Sequence, residues 1–111
     1  GRHPRQAQAR RPVSLQVRIS QAAQDDLERL LDFLAPVDYP AALRARAAIE
    51  RGYAFLADMP FACRKADDAN PFLRELVIPF GRAGYVVLFD IEDEHTLTIL
   101  AVRHQREDDY H

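Results

Sequence analysis

The chain has 111 residues, 48% of them apolar, enough for one hydrophobic core and too few for a second. Its formal charge of −2 conceals an asymmetry, because residues 1–11, "GRHPRQAQARR", hold four arginines (Arg2, Arg5, Arg10, Arg11) and no acid. The rest sets 11 basic residues, with Lys65 the only lysine, against 17 acidic ones, and a body near −6 is a poor general binder of nucleic acid.

Residues 1–12 combine Gln, Ala, Pro and Arg without an apolar period and are read as a disordered basic segment; residues 13–111 form the single domain. No run approaches the roughly 18 apolar residues of a membrane helix, and the first residues lack the apolar block of a signal peptide. A cytoplasmic protein with no membrane partner is expected. Cys63 stands alone, so neither an internal disulfide nor a cysteine-rich zinc site can form.

In chain order, "VSLQVRIS" (Val13 to Ser20) alternates Val13, Leu15, Val17 and Ile19 with polar residues, the period of a half-buried strand. Ser20 then stands at a helix N-cap position, and Ala23, Leu27, Leu30, Leu31 and Leu34 form one apolar stripe. This predicts a helix from Gln21 to Ala35, ended by Pro36. After "PVDYP" a second helix is predicted, capped by Asp38 or Tyr39 with Pro40 in its first turn, and with Ala42, Ala45, Ile49, Tyr53 and Leu56 facing inward. So short a link makes the pair an antiparallel helix hairpin. "FACRKADDANP" (Phe61 to Pro71) has no sustained period and reads as a loop.

Three strands follow, Phe72 to Ile78, Tyr85 to Ile91 and Thr96 to Arg103, joined by short links that favour an antiparallel meander. "YVVLFDI" is apolar on both parities and should be the central strand. The fold class is therefore α+β: an N-terminal strand, a helix hairpin, then a three-stranded antiparallel meander with the helices on one face.

That order, together with "LRELVIPFGRAGYVVLFDI" and "TILAVRHQREDDYH", resembles the RelE/ParE superfamily of bacterial toxins from type II toxin-antitoxin pairs, over about Leu15 to Tyr110. The resemblance implies one of two activities. RelE-like members cleave mRNA on the ribosome without a metal, which requires a base, an acid and cations for the charged phosphorane. On that branch Arg74, Arg82, Arg103, His104 and Tyr110 are the candidate catalytic residues, with His104 as base or acid and Arg82 and Arg103 as charge stabilisers. The lysine cluster of those enzymes is absent here, and Glu107, Asp108 and Asp109 crowd the same end.

ParE-like members instead poison DNA gyrase by binding it, and the sequence looks more like this branch. Arg82, Arg103, His104 and Arg106 are then target-binding residues. A cognate antitoxin is the implied partner, docking on apolar residues of the hairpin: Leu30, Phe33, Leu34 and Phe55. Phe33 and Phe55 are therefore expected to stay exposed. The same surface also suits a homodimer, and a non-toxic interaction module on this scaffold is a further alternative. No cofactor is implied; His104, Asp108 and His111 suggest a metal only weakly, since no second cluster completes a ligand set.

Overall fold

The computed structural model describes residues 14–105. The elements run β1 (Gln16–Ile19), α1 (Gln21–Leu34), α2 (Tyr39–Asp58), a 3-10 turn (Pro60–Ala62), β2 (Arg64–Asp67), β3 (Asn70–Phe80), β4 (Ala83–Ile91) and β5 (Thr96–His104). The five strands make one mixed sheet in the order β1-β5-β4-β3-β2. β1 pairs with β5 in parallel, and all other neighbours are antiparallel.

Both helix starts follow from side-chain caps. Ser20 Oγ accepts from the Ala23 amide at 3.1 Å, and Asp38 Oδ1 accepts from the Ala41 amide at 3.0 Å, each satisfying a donor the first turn leaves open. The chain turns back within a few residues, and Asp26 of α1 lies close enough to Tyr53 of α2 to perturb its phenol, as an antiparallel pair requires. Ala41, Ala42, Ala45 and Ala48 are buried, so α2 seats its backbone close to its neighbours.

One expectation is corrected. The segment Phe61 to Pro71 is not a plain loop, because Arg64–Asp67 pairs with β3 as an edge strand. Its side chains are mostly exposed, so no alternation of apolar and polar residues marks it in the sequence; it is held by backbone pairing and by Arg64 Nε donating to Glu75 Oε1 at 3.0 Å. The meander strands are as expected but longer, and Val13 lies outside the described residues.

Cross-strand partners share a face, so the register assigns every side chain. Toward the helices β4 buries Tyr85, Val87, Phe89 and Ile91, packed with Leu97, Ile99 and Val102 of β5 and with Ile49 and Leu56 of α2. On the open face Val86 is buried, whereas Leu88 and Asp90 are half-exposed. Leu88 pairs with Ala101 and Phe89 with Ile99, so Leu100 is the extra residue of a bulge. The bulge resets the parity of β5: Leu97 and Ile99 before it, and Val102 and His104 after it, all face the helices.

β1 stops at Ile19, opposite Ile99, and the rest of that flank of β5 needs other partners. The Ser20 amide donates to the Ile99 carbonyl at 3.0 Å, Ser20 Oγ donates to the Leu100 carbonyl at 3.3 Å, and Asp26 Oδ2 accepts from the Val102 amide at 3.0 Å. Helix α1 thus completes the edge that β1 leaves. Replacing Asp26 with alanine is expected to destabilise the fold by roughly 1.5–3 kcal/mol, the range for a hydrogen bond to a charged group. Denaturant titration checks the magnitude, and hydrogen exchange at the Val102 amide should accelerate selectively.

Candidate functional site

The turn between β3 and β4 and the C-terminal end of β5 meet at one end of the sheet, since Phe80 pairs with Ala83 and Tyr85 with His104. Gly81 takes φ +60 in that turn, and Gly84 takes φ +154 where a Cβ would stand 2.2 Å from the Ile78 carbonyl oxygen. Both positions therefore require glycine, and the tight hairpin holds Arg82 out at the tip, exposed. Arg103 pairs with Val86 and lies on the open face. His104 pairs with Tyr85 and leaves on the helix-facing side, where its ring meets the Tyr85 ring edge-on at 5.5 Å. Arg82, Arg103 and His104 thus share an end of the sheet, but Arg103 and His104 occupy opposite faces of it. Arg106 and Tyr110 lie outside the described residues.

Arg74 stands apart from that group. It pairs with Phe89 and so points to the helix side, toward the other end of β3. Its Nε donates to the Pro71 carbonyl at 2.7 Å and one terminal nitrogen donates to the Cys63 carbonyl at 2.8 Å and the Phe61 carbonyl at 3.4 Å. The guanidinium also lies over the Phe61 ring, 5.1 Å from its centre. Only the fan of donors on a guanidinium makes this set, and it ties the 3-10 turn and the start of β2 to β3. Beneath it burial pushes the Cys63 thiol up, with the Arg74 charge partly opposing the shift.

The residues expected to meet an antitoxin divide into two kinds. Leu30 and Leu34 are half-buried and pack on the core, whereas Phe33 is 82% exposed and Phe55 42% exposed, as expected. Phe33 has exposed apolar neighbours in sequence at Val37, Tyr39 and Leu43, around the tip of the helix hairpin. Phe55 sits near the far end of α2 with exposed Met59 one turn on, about 15 Å or more along the helix from that tip by the rise per residue. The apolar surface is therefore two patches. Among the described residues no group of His, Cys, Asp or Glu side chains is arranged to hold a metal ion.

Two features gave no signal in the sequence. The end of the sheet opposite Arg82 gathers acids: Asp67 at the end of β2, Asp68 in the turn that follows, and Glu92, Asp93 and Glu94 between β4 and β5. These residues are scattered along the chain, and only the alternating strand directions bring them together. Between the helices, the Tyr53 hydroxyl is buried with no hydrogen-bond partner among the described residues. Its pKa is pushed up from 10.0 to about 12, first by burial and then by the carboxylates of Asp26 and Glu50.

Arg74 is expected to matter for stability, with Arg74→Ala and Arg74→Lys both lowering it, because an ammonium cannot reproduce the set of carbonyl contacts; thermal melts of the two variants check this. For Tyr53, both folded and unfolded states keep the phenol neutral below about pH 10. Between about pH 10 and 12 the unfolded chain ionises while the folded chain does not, so stability is lost as pH rises through that window. Tyr53→Phe should be neutral or slightly stabilising at pH 7 and should flatten the alkaline fall, as measured by denaturant titrations across pH.

Comparison with known proteins places this arrangement. The family model described as "ParE toxin of type II toxin-antitoxin system, parDE" matches residues 17–109. No curated protein sequence matches the chain. Among solved structures, a chain of the chromosomal ParDE toxin-antitoxin system from P. aeruginosa superposes with a TM-score of 0.64 at 17% identity, covering 82% of this chain and 96% of that one, a likeness of fold. A chain of the RelBE2 toxin-antitoxin complex from Mycobacterium tuberculosis gives a TM-score of 0.53 at 27% identity, covering 83% of this chain and 99% of that one. Because the family model spans nearly the whole described chain, from β1 to beyond β5, this protein belongs to the ParE toxin family of type II toxin-antitoxin systems.

Proposed function

We propose that the chain halts growth by binding DNA gyrase in the cytoplasm, and that a cognate antitoxin releases the block. The observation that carries this reading is the dispersal of the candidate catalytic set. Arg74 is engaged by backbone carbonyls on the helix side of the sheet, Arg103 stands on the open face, and His104 packs on Tyr85 on the other face. A metal-free ribonuclease needs its base, acid and cations within hydrogen-bond reach of one phosphate. A protein interface has no such requirement, and an end of the sheet presenting Arg82 at the hairpin tip, with Arg103 opposite Val86 on the open face of the same end, suits contact with an acidic surface.

The antitoxin reading rests on the patch around the hairpin tip. Phe33 and Val37 are 82% and 80% exposed, and Tyr39 and Leu43 adjoin them in sequence, more bulky apolar surface than a helix hairpin leaves bare without a partner. A partner segment that folds on binding can cover such a patch with its own apolar side chains.

The test is a gyrase supercoiling and DNA-cleavage assay with the purified chain, beside a translating-ribosome mRNA cleavage assay. Inhibition of supercoiling or trapped cleaved DNA is expected, weakened at least tenfold in Arg82→Glu with the fold unchanged by circular dichroism. Ribosome-dependent cleavage with gyrase untouched overturns the reading.

A further inference from the structure

The acidic end of the sheet contains a recess that the toxin reading does not use. It has a volume of about 290 Å³ and is lined by Leu15, Phe61, Phe72, Ile91 and the turn residues Glu92, Asp93 and Glu94. Its floor is apolar, and the Phe61 and Phe72 rings meet edge-on at 6.3 Å while remaining 55% and 49% exposed. Its rim is anionic. Glu92 accepts from the Thr98 hydroxyl and Asp93 Oδ1 accepts from the His95 amide at 2.8 Å, bonds that hold two of the three carboxylates on the turn.

We infer that this recess is a second docking site, and that its occupant is a basic peptide segment of a partner protein, with a bulky aliphatic or aromatic side chain flanked by arginine or lysine. The apolar floor takes the central side chain. The carboxylates attract the flanking cations, whose aliphatic stems lie along the Phe72 ring and the edge of Phe61 that Arg74 leaves uncovered and whose heads reach the rim.

Charge complementarity decides among occupants. Nucleic acid and an anionic membrane surface are repelled by Glu92, Asp93 and Glu94. A small polar molecule finds no convergent set of donors on a floor built from Leu15, Phe61, Phe72 and Ile91. A second copy of this chain offers exposed Leu43 beside Arg44 and Arg46 on α2, but Arg46 is already paired with Glu50 at 3.9 Å, and sedimentation separates this occupant from a partner's segment. The site lies at the opposite end of the sheet from Arg82 and Arg103, so it is independent of the choice of target.

The test uses the full chain and a synthetic peptide of sequence GRKLFRKG, with GRKSSRKG as the control that keeps the charge and removes the apolar centre. Calorimetry in moderate salt, where charge attraction alone is screened within about 10 Å, should give binding at least tenfold tighter for the first peptide. Amide shift changes should concentrate at Leu15, Phe61, Phe72 and residues 91–94. Phe72→Ser and Glu94→Lys, both at exposed positions, should each weaken binding at least fivefold with unchanged circular dichroism. If either variant misfolds, the shift map on the unaltered chain decides alone. Equal binding of the two peptides, or shifts centred elsewhere, overturns the site. Binding that appears only after residues 1–12 are removed makes the chain's own basic segment the occupant, and peptide binding that merely splits a dimer in sedimentation makes it a second copy; either result overturns the assignment to a partner.

Discussion

The unequal length of β1 and β5 is the constraint on which the arrangement depends. β1 supplies four paired residues to a strand of nine, so half of one flank of β5 is left without strand partners. Unpaired backbone groups near the core are costly, and the fold satisfies them from the start of α1. Ser20 serves twice, capping the helix through its hydroxyl oxygen and closing on the Ile99 and Leu100 carbonyls, while Asp26 takes the Val102 amide. The position of α1, and through it the hairpin with α2, is thereby tied to the strand that carries Arg103 and His104.

The bulge at Leu100 belongs to the same device. Without it, Val102 would turn away from the helices if Leu97 and Ile99 faced them, because strand side chains alternate strictly. The extra residue lets both halves of β5 bury their apolar side chains, and it reverses the faces that Arg103 and His104 would otherwise take. The distribution of the candidate site residues between the two faces is thus a by-product of core packing.

Much of this was legible in the residues. Period-two alternation in "VSLQVRIS", the apolar stripe after Ser20, and Pro40 after Asp38 were sufficient to place β1, α1 and α2, with buried side chains recurring at the helical period in α1 and α2, whereas β1 is shorter than expected at Gln16–Ile19 and leaves Val17 half-buried and Ile19 exposed. β2 was hidden because an exposed edge strand needs no apolar pattern; its pairing partner, not its own composition, makes it a strand. Arg74 illustrates the limit for the site. As a residue type in a strand it is compatible with both solvent and chemistry, and only the folded backbone brings three carbonyls to its guanidinium. The acidic end was illegible for a related reason: its members come from two separate turns, and charge counts along the chain cannot say which turns share an end.

The two edges of the sheet carry a consequence for the chain's life apart from any partner. Exposed strand edges recruit other strands, and a small protein with five strands is a ready template for fibrous self-association. Here one edge is a four-residue strand continued by a helix, so no long run of open backbone remains on that flank. The other edge is equally short, interrupted by a register shift and studded with Arg64, Lys65 and Asp67. Edge-to-edge stacking is restricted on the β1 flank by backbone geometry, whereas β2 covers β3 only as far as Glu75, so among the described residues Leu76–Phe80, interrupted by Pro79, form a short stretch of edge where another strand could add.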